Sequence, residues 1–198
     1  MYIPHHYENT NVDEIKAFVK ENGFGILVNQ TDGKPWATHI PLELEQGPDG
    51  KDYLVVHLAK SNPQSKTLTE NQEILCIFNG PHTYISASWY NSEEVPTWDY
   101  IAVQVYGKPQ LMSEAETMES LHRLVDKYEE QSENPISLHD MSPKTLRQVK
   151  GVVGFKIAIS KIQAAYKLSQ TRPEDHENIK AGLRKRKDAN SQDIAERI

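Results

Sequence analysis

One cysteine in 198 residues, Cys76, is too few for a disulfide within the chain or for a zinc site built on several thiolates. Its place inside the apolar run 74–78 suits a buried, inert thiol. No apolar stretch approaches the length of a membrane span, and the opening Met1-Tyr2-Ile3-Pro4-His5-His6-Tyr7 has neither the basic start nor the apolar region of a secretory signal. These absences predict a cytoplasmic protein with no membrane partner. Also missing are a glycine fingerprint for a dinucleotide fold, a phosphate loop ending in Lys-Ser/Thr, a Gly-x-Ser-x-Gly elbow and a His-Glu-x-x-His zinc helix. Positive charge is in short supply: 22 Lys and Arg stand against 28 Asp and Glu, for a formal net charge of −6. Such a chain repels a nucleic-acid backbone unless its cations are concentrated. They are concentrated once, at Lys180, Arg184, Lys185, Arg186 and Lys187, where a solvated basic turn would complement a helix dipole. That cluster is the one place the sequence offers for direct contact with DNA.

With 37% apolar and 25% charged residues, the composition is that of an ordinary globular protein, and the length suffices for one well-buried core. The reading is a single domain over 1–198 with a helical C-terminal region at about 173–198. A helix is expected over 12–22, capped by Asn11, with Ile15, Phe18 and Val19 as its apolar stripe and Gly23 as its stop. Strands are expected over 24–29, 36–44 and 53–58, joined by turns at Thr31-Asp32-Gly33-Lys34 and Pro48-Asp49-Gly50-Lys51. Further strands are expected over 73–79, 83–88, 100–111 and 152–159, and a short helix within 62–71. Helices are expected over 113–131, where Ser113 caps and Met118, Leu121, Leu124, Val125 and Tyr128 recur at helical spacing, from Ser142-Pro143 to Gly151, and over 173–186. A meander of strands with helices at its beginning, middle and end makes a mainly β, α+β fold, a small barrel decorated by helices.

The chemistry-rich segment is 74–106. Its apolar run opens onto Gly80, Pro81, His82, Tyr84, Ser86, Ser88, Trp89 and Tyr90, flat rings mixed with hydrogen-bonding groups that suit a planar, heteroatom-rich ligand. Thr38-His39-Ile40-Pro41 ends in a proline, as an irregular or edge strand does. The run from His57 to Lys66 leaves a strand for a helix, and there Ser65 and two lysines could hold a phosphate. His39, His57 and His82 fall at strand ends, open to three roles: metal ligands, an axial haem ligand, or hydrogen-bonding groups around an organic cofactor.

These segments resemble the PaiB family, described as FMN-binding negative transcriptional regulators. The resemblance rests on Met-Tyr-Ile-Pro at 1–4, Ala-Thr-His-Ile-Pro at 37–41, His-Leu-Ala-Lys-Ser-Asn-Pro-Gln at 57–64, Phe-Asn-Gly-Pro-His-Thr-Tyr-Ile-Ser-Ala-Ser-Trp-Tyr at 78–90, Val-Pro-Thr-Trp-Asp-Tyr at 95–100 and Lys-Leu-Ser-Gln at 167–170. It implies an FMN-binding split β-barrel, related to pyridoxamine phosphate oxidases and haem-utilisation proteins, in which an obligate homodimer holds FMN at its subunit interface. It further implies that His39, Ile40 and Pro41 line the isoalloxazine, that Ser65 and Lys66 hold the phosphate, and that Trp98 and the Lys167, Leu168, Ser169, Gln170 run approach from the partner subunit. His57, Asn62, His82 and Trp89 belong to the same motifs and complete the expected cofactor-binding set. The chain departs from the family pattern at Ala87, where proline is usual, at Asp99, where asparagine is usual, and at Ser65, where an aromatic is usual. No helix-turn-helix pattern accompanies the regulator description, so any regulatory effect is expected to be indirect. Alternatives are a flavin-dependent oxidoreductase acting on a small molecule and a haem-binding split barrel. No acid–base pair stands out, and no catalytic residue is assigned.

Overall fold

The computed structural model describes residues 1–198. Seven strands form one sheet in the order β2-β1-β5-β6-β7-β4-β3. They are β1 Phe24–Thr31, β2 Lys34–Pro41, β3 Glu43–Gln46, β4 Asp52–Ala59, β5 Ile74–Ile85, β6 Thr97–Leu111 and β7 Val152–Lys167. The helices are α1 Val12–Glu21, α2 Gln64–Thr67, α3 Glu114–Glu129, α4 Pro143–Leu146, α5 His176–Arg184 and α6 Ala189–Arg197. None is long and apolar enough to cross a membrane. The chain divides into two compact units: the first comprises 1–22, 77–104 and 162–198, the second 23–76 and 105–161.

In the second unit, β1 and β2 pair antiparallel from Phe24↔Pro41 to Thr31↔Lys34. The turn between them places Asp32 at φ 52° and Gly33 at φ 74°, the paired left-handed geometry that matches strand twist and favours Asp-Gly. The single strand expected over 36–44 is two. Pro41 pairs with Phe24 at the end of β2, and the Leu42 N–H adds one more in-register bond to β1 by donating to the Gly23 carbonyl at 2.8 Å. Beyond the fully buried Leu42, β3 changes partner and pairs antiparallel with β4. β4 in turn pairs antiparallel with β7, Tyr53↔Ala158 to Ala59↔Val152. The core of this unit gathers Leu27, Leu42, Leu54, Val56, Leu58, Phe155 and Ile157. Cys76 is buried there too, and desolvation pushes its thiol well above the ordinary range.

Helix α3 keeps its expected cap: Ser113 and Glu116 form a reciprocal capping box. Its buried face is different from the one expected. Thr117 and Ser120 are buried, whereas Met118, Leu121, Leu124 and Val125 are half-buried and Tyr128 is 51% exposed. The reason lies beneath it, where a Cβ on Gly154 of β7 would come within 2.7 Å of the Thr117 hydroxyl, so only short side chains fit between helix and strand.

In the first unit, α1 is capped by Asn11, whose side chain accepts from the Asp13 and Glu14 amides, and it buries Ile15, Phe18 and Val19. The strands expected over 73–79 and 83–88 are one, β5, that runs through Gly80-Pro81. Its alternation shifts phase there: Ile74, Cys76 and Phe78 are buried before the shift, Pro81, Thr83 and Ile85 after it. The shift turns His82 and Tyr84 outward. The helix expected over 173–186 ends at Arg184, and α6 follows, capped by Asp188. α5 and α6 bury Ile179, Leu183, Ile194 and Ala195 against Ile85, with Trp89, Tyr90, Leu168 and Ile198 packed around them.

Candidate functional site

The residues expected at the cofactor fall into two groups, one in each unit. In the second unit, β2 ends with His39 exposed, Ile40 buried and Pro41 half-buried. Asn62, in the loop after β4, reaches back to that strand: its Nδ2 donates to Thr38 Oγ1 at 3.1 Å, and its Oδ1 accepts from the Gln64 amide at 3.0 Å. Both ends of the amide are thereby used in holding the loop beside Thr38 and His39. Gln64 carries the brace inward, donating to the Leu27 carbonyl and to Asn29 Oδ1 from a fully buried position. The Ser65 hydroxyl donates to the Asn62 carbonyl at 2.8 Å. Lys66 projects into solvent one residue on. His57 lies apart from these residues' hydrogen bonds, under α3, its Nε2 2.6 Å from Ser120 Oγ. Ser120 has one hydroxyl proton; given to the Thr117 carbonyl at 3.0 Å, it leaves His57 Nε2 as donor. Burial, helped by the Arg123 charge, pushes the His57 pKa down to about 4.

In the first unit, the phase shift of β5 brings three rings together. His82 and Trp98 have centroids 6.2 Å apart, Tyr84 and Trp98 6.1 Å, and Trp98 is 54% exposed. Behind this surface, strict alternation along β6 puts Asp99 at an inward position with no exposure at all. Ser169 Oγ donates to Asp99 Oδ2 at 2.6 Å, and Lys167 Nζ stands 3.6 Å from Oδ1, which has no hydrogen bond. Desolvation raises the Asp99 pKa, against the pull of the Ser169 hydrogen bond and the Lys167 charge. The same ammonium donates to Thr97 Oγ1 and to the Trp98 carbonyl, and so fixes the strand that carries the exposed ring.

The Lys167-Leu168-Ser169-Gln170 turn is held from within. Ser169 sits at φ 56°, left-handed backbone that costs a non-glycine residue about 1–3 kcal/mol and persists only where its surroundings enforce it. Gln170 supplies that enforcement, donating to the Tyr166 carbonyl and accepting from the Leu168 amide at 2.8 Å. Trp89 is drawn elsewhere: its ring packs against Gly182 of α5 and lies under the Arg186 guanidinium at 4.8 Å. Arg186 also donates to Thr83 Oγ1 at 2.9 Å and to the Tyr84 carbonyl at 2.7 Å.

The expected set therefore separates by what each side chain already does. His39, Lys66, His82 and Trp98 face solvent, while Asn62, Ser65, Lys167, Ser169 and Gln170 are hydrogen-bonded within the chain and brace the segments that carry the outward groups. No three His, Cys, Asp or Glu side chains converge as metal ligands. Sequence reasoning placed Tyr84 among the rings after Gly80-Pro81 but left it out of the cofactor-binding set, and it missed Arg186 as a structural anchor; the alternation of His82, Thr83 and Tyr84 was the available signal for the first.

Each unit thus presents one kind of group outward: a cation, the chemistry that meets a phosphate, in the second, and flat rings, the chemistry that meets a planar ligand, in the first. Sheet and helices together are those of the flavin-binding split-barrel class, mainly β with peripheral helices. The chain shares its fold with the flavocytochrome Anf3 from Azotobacter vinelandii, at a TM-score of 0.66 and 18% identity over 87% of this chain and 76% of that one. It also shares it with the FAD and heme binding protein from Mycobacterium smegmatis, at a TM-score of 0.63 and 15% identity over 81% of this chain and 73% of that one. Residues 1–161 match the family described as "Putative FMN-binding domain". The chain is 45% identical over 198 residues to the "Protease synthase and sporulation protein PAI 2" of Bacillus subtilis (strain 168), covering 99% of this chain and 95% of that protein. An uncharacterised protein of Saccharomyces cerevisiae is 29% identical over 154 residues, 66% of this chain and 91% of that one. The chain belongs to the PaiB family of FMN-binding split-barrel proteins.

Proposed function

We propose that this FMN-binding chain works as a cytoplasmic homodimer, each chain a single domain, with flavin held at the subunit interface and any effect on transcription indirect. In this reading one subunit supplies His39, Ile40 and Pro41 to the isoalloxazine and Lys66 to the phosphate. The other supplies the outward rings of Trp98 and His82. Asn62 holds the first group in place, and Lys167, Ser169 and Asp99 hold the second. When bound, FMN would supply one- or two-electron redox chemistry; the chain's own contribution is to bind, orient and cover it.

The observation that carries the reading is the cluster of Trp98, His82 and Tyr84, an aromatic surface left open on one chain and braced from behind by a buried carboxylate and an ammonium. Large rings kept this exposed on a rigid strand are the signature of a surface that a ligand or a partner covers. The indirect regulatory role is supported by the fate of the basic cluster. Arg186 is committed to Thr83, Tyr84 and Trp89, and Lys180 lies 3.8 Å from Glu177, which leaves Arg184, Lys185 and Lys187 outward on a chain of net charge −6.

Sedimentation with FMN titration tests the proposal. The expected result is a dimer at micromolar concentration whose FMN affinity falls on dilution, with Trp98→Ala weakening FMN while the fold is retained. A monomer that binds FMN with undiminished affinity would sink the shared site.

A further inference from the structure

A cavity of about 520 Å³ lies wholly within the second unit, where the end of β6, the start of α3, the 143–151 helical segment and the start of β7 meet. Of the residues considered above for the flavin, only Lys60, one of the two lysines offered for the phosphate, reaches it. Its walls are Met112, Met118, Leu146, Val149 and Val153, and Leu111 stands beside them 68% exposed. Three of the apolar side chains that α3 and β7 leave half-buried, Met118, Val152 and Val153, face a space large enough for a small ligand. Two methionines in the wall let it adjust to an apolar body of variable shape.

The rim has a sign. Lys60, Arg147 and Lys150 reach it, opposed by the single carboxylate of Glu114, and none of the three cations forms an ion pair within the chain. In a chain with six more acids than bases, three unpaired cations around one apolar cavity are a local reversal of charge. We propose that this cavity binds an amphipathic anion, an alkyl carboxylate whose chain lies against the methionine and valine walls and whose head meets Lys60, Arg147 and Lys150. A neutral ligand would leave the cations without a counter-charge, and a cationic one would be repelled.

Calorimetric titration of the full chain, saturated with FMN and below the micelle concentration of each probe, tests this with octanoate, decanoate and decyltrimethylammonium. Decanoate is expected to bind once per chain, about tenfold more tightly than octanoate for its two further methylenes. Decyltrimethylammonium, with the same tail and the opposite head, is expected to bind at least about tenfold more weakly than decanoate. Arg147→Ala with Lys150→Ala should narrow that difference, and Val149→Asp should abolish decanoate binding. Equal affinity for the two heads overturns the proposal, as does absence of binding. So does release of one FMN per decanoate bound, which would make the cavity part of the flavin site, or a cavity closed by a second copy, seen as decanoate binding that emerges only when the dimer is diluted. Should the variants fail to fold, the two probes of opposite charge on the unaltered protein decide alone.

Discussion

The ring of Phe18 fills the space that a side chain on Gly80 would occupy: a Cβ there would stand 2.5 Å from Phe18 Cε2 and 2.8 Å from Cζ. This close approach of α1 to β5 sits where the strand changes phase and turns His82 and Tyr84 outward. Gly80→Ala is therefore expected to lower stability by about 1–3 kcal/mol, the usual range for overpacking a filled core. Denaturant unfolding measures this. An unchanged midpoint would mean that the ring moves aside freely and that the glycine is not what permits the contact.

Much of the fold was legible because its signals are local. Asn11 and Ser113 cap as short polar side chains do, and Asp32-Gly33 makes a tight hairpin whatever surrounds it. What was not legible depends on partners distant in sequence. The break at Leu42 is a change of strand partner, and where β5 runs on through Gly80-Pro81 the ring packed against Gly80 is that of Phe18, about sixty positions away. The buried face of α3 follows Gly154 rather than the helix's own hydrophobic periodicity. Of the candidate site, the sequence named the segments but not the division of labour. That Asn62 and Gln170 brace while Lys66 and Trp98 project is a matter of hydrogen bonds that spacing does not reveal.

His57 makes stability fall in acid. Its folded pKa, about 4, lies below the ordinary value of 6.5, so the unfolded chain binds the proton more readily. The stabilisation is fully present above pH 6.5 and is lost as pH falls toward 4, amounting to up to about 3 kcal/mol. His57→Gln, which can still meet Ser120, is expected to flatten the stability profile between pH 6.5 and 4. If the two profiles stay parallel across that window, another group governs the acid transition.

Asp99 works in the opposite sense. Burial raises its pKa, so the folded state holds the proton more tightly than the unfolded chain, and stability declines as pH rises through the interval above the ordinary carboxylate range. Asp99→Asn keeps an oxygen for Ser169 and removes the buried charge. Its melting temperature relative to the unaltered protein is expected to climb from pH 4 to pH 7. A relative melting temperature that instead falls over that range would show the Lys167 pair outweighing desolvation.

Lys66 tests the phosphate assignment. Lys66→Ala is expected to weaken FMN by about 1.5–3 kcal/mol, the range for a charge-assisted hydrogen bond, and to leave riboflavin, which lacks the phosphate, nearly unaffected. Titration of both flavins gives the comparison. Equal losses would remove Lys66 from the phosphate and point to Lys60, the other lysine of the loop.

The C-terminal cations separate folding from DNA binding. Arg186 donates to Thr83 and Tyr84 and covers Trp89, so Arg186→Ala is expected to destabilise the chain by about 1.5–3 kcal/mol. Lys185→Ala and Lys187→Ala, at exposed positions, should stay within about 0.5 kcal/mol of the unaltered protein. If these outward cations touch DNA at all, neutralising Arg184, Lys185 and Lys187 together flattens the salt dependence by about 0.9 log units per lost phosphate contact. It does so equally for any sequence, since phosphates carry no base information. A competition titration at physiological salt between a promoter fragment and random duplex is expected to show no preference. A preference of about a thousandfold or more, the lower end for specific regulators, would establish direct recognition and overturn the indirect role.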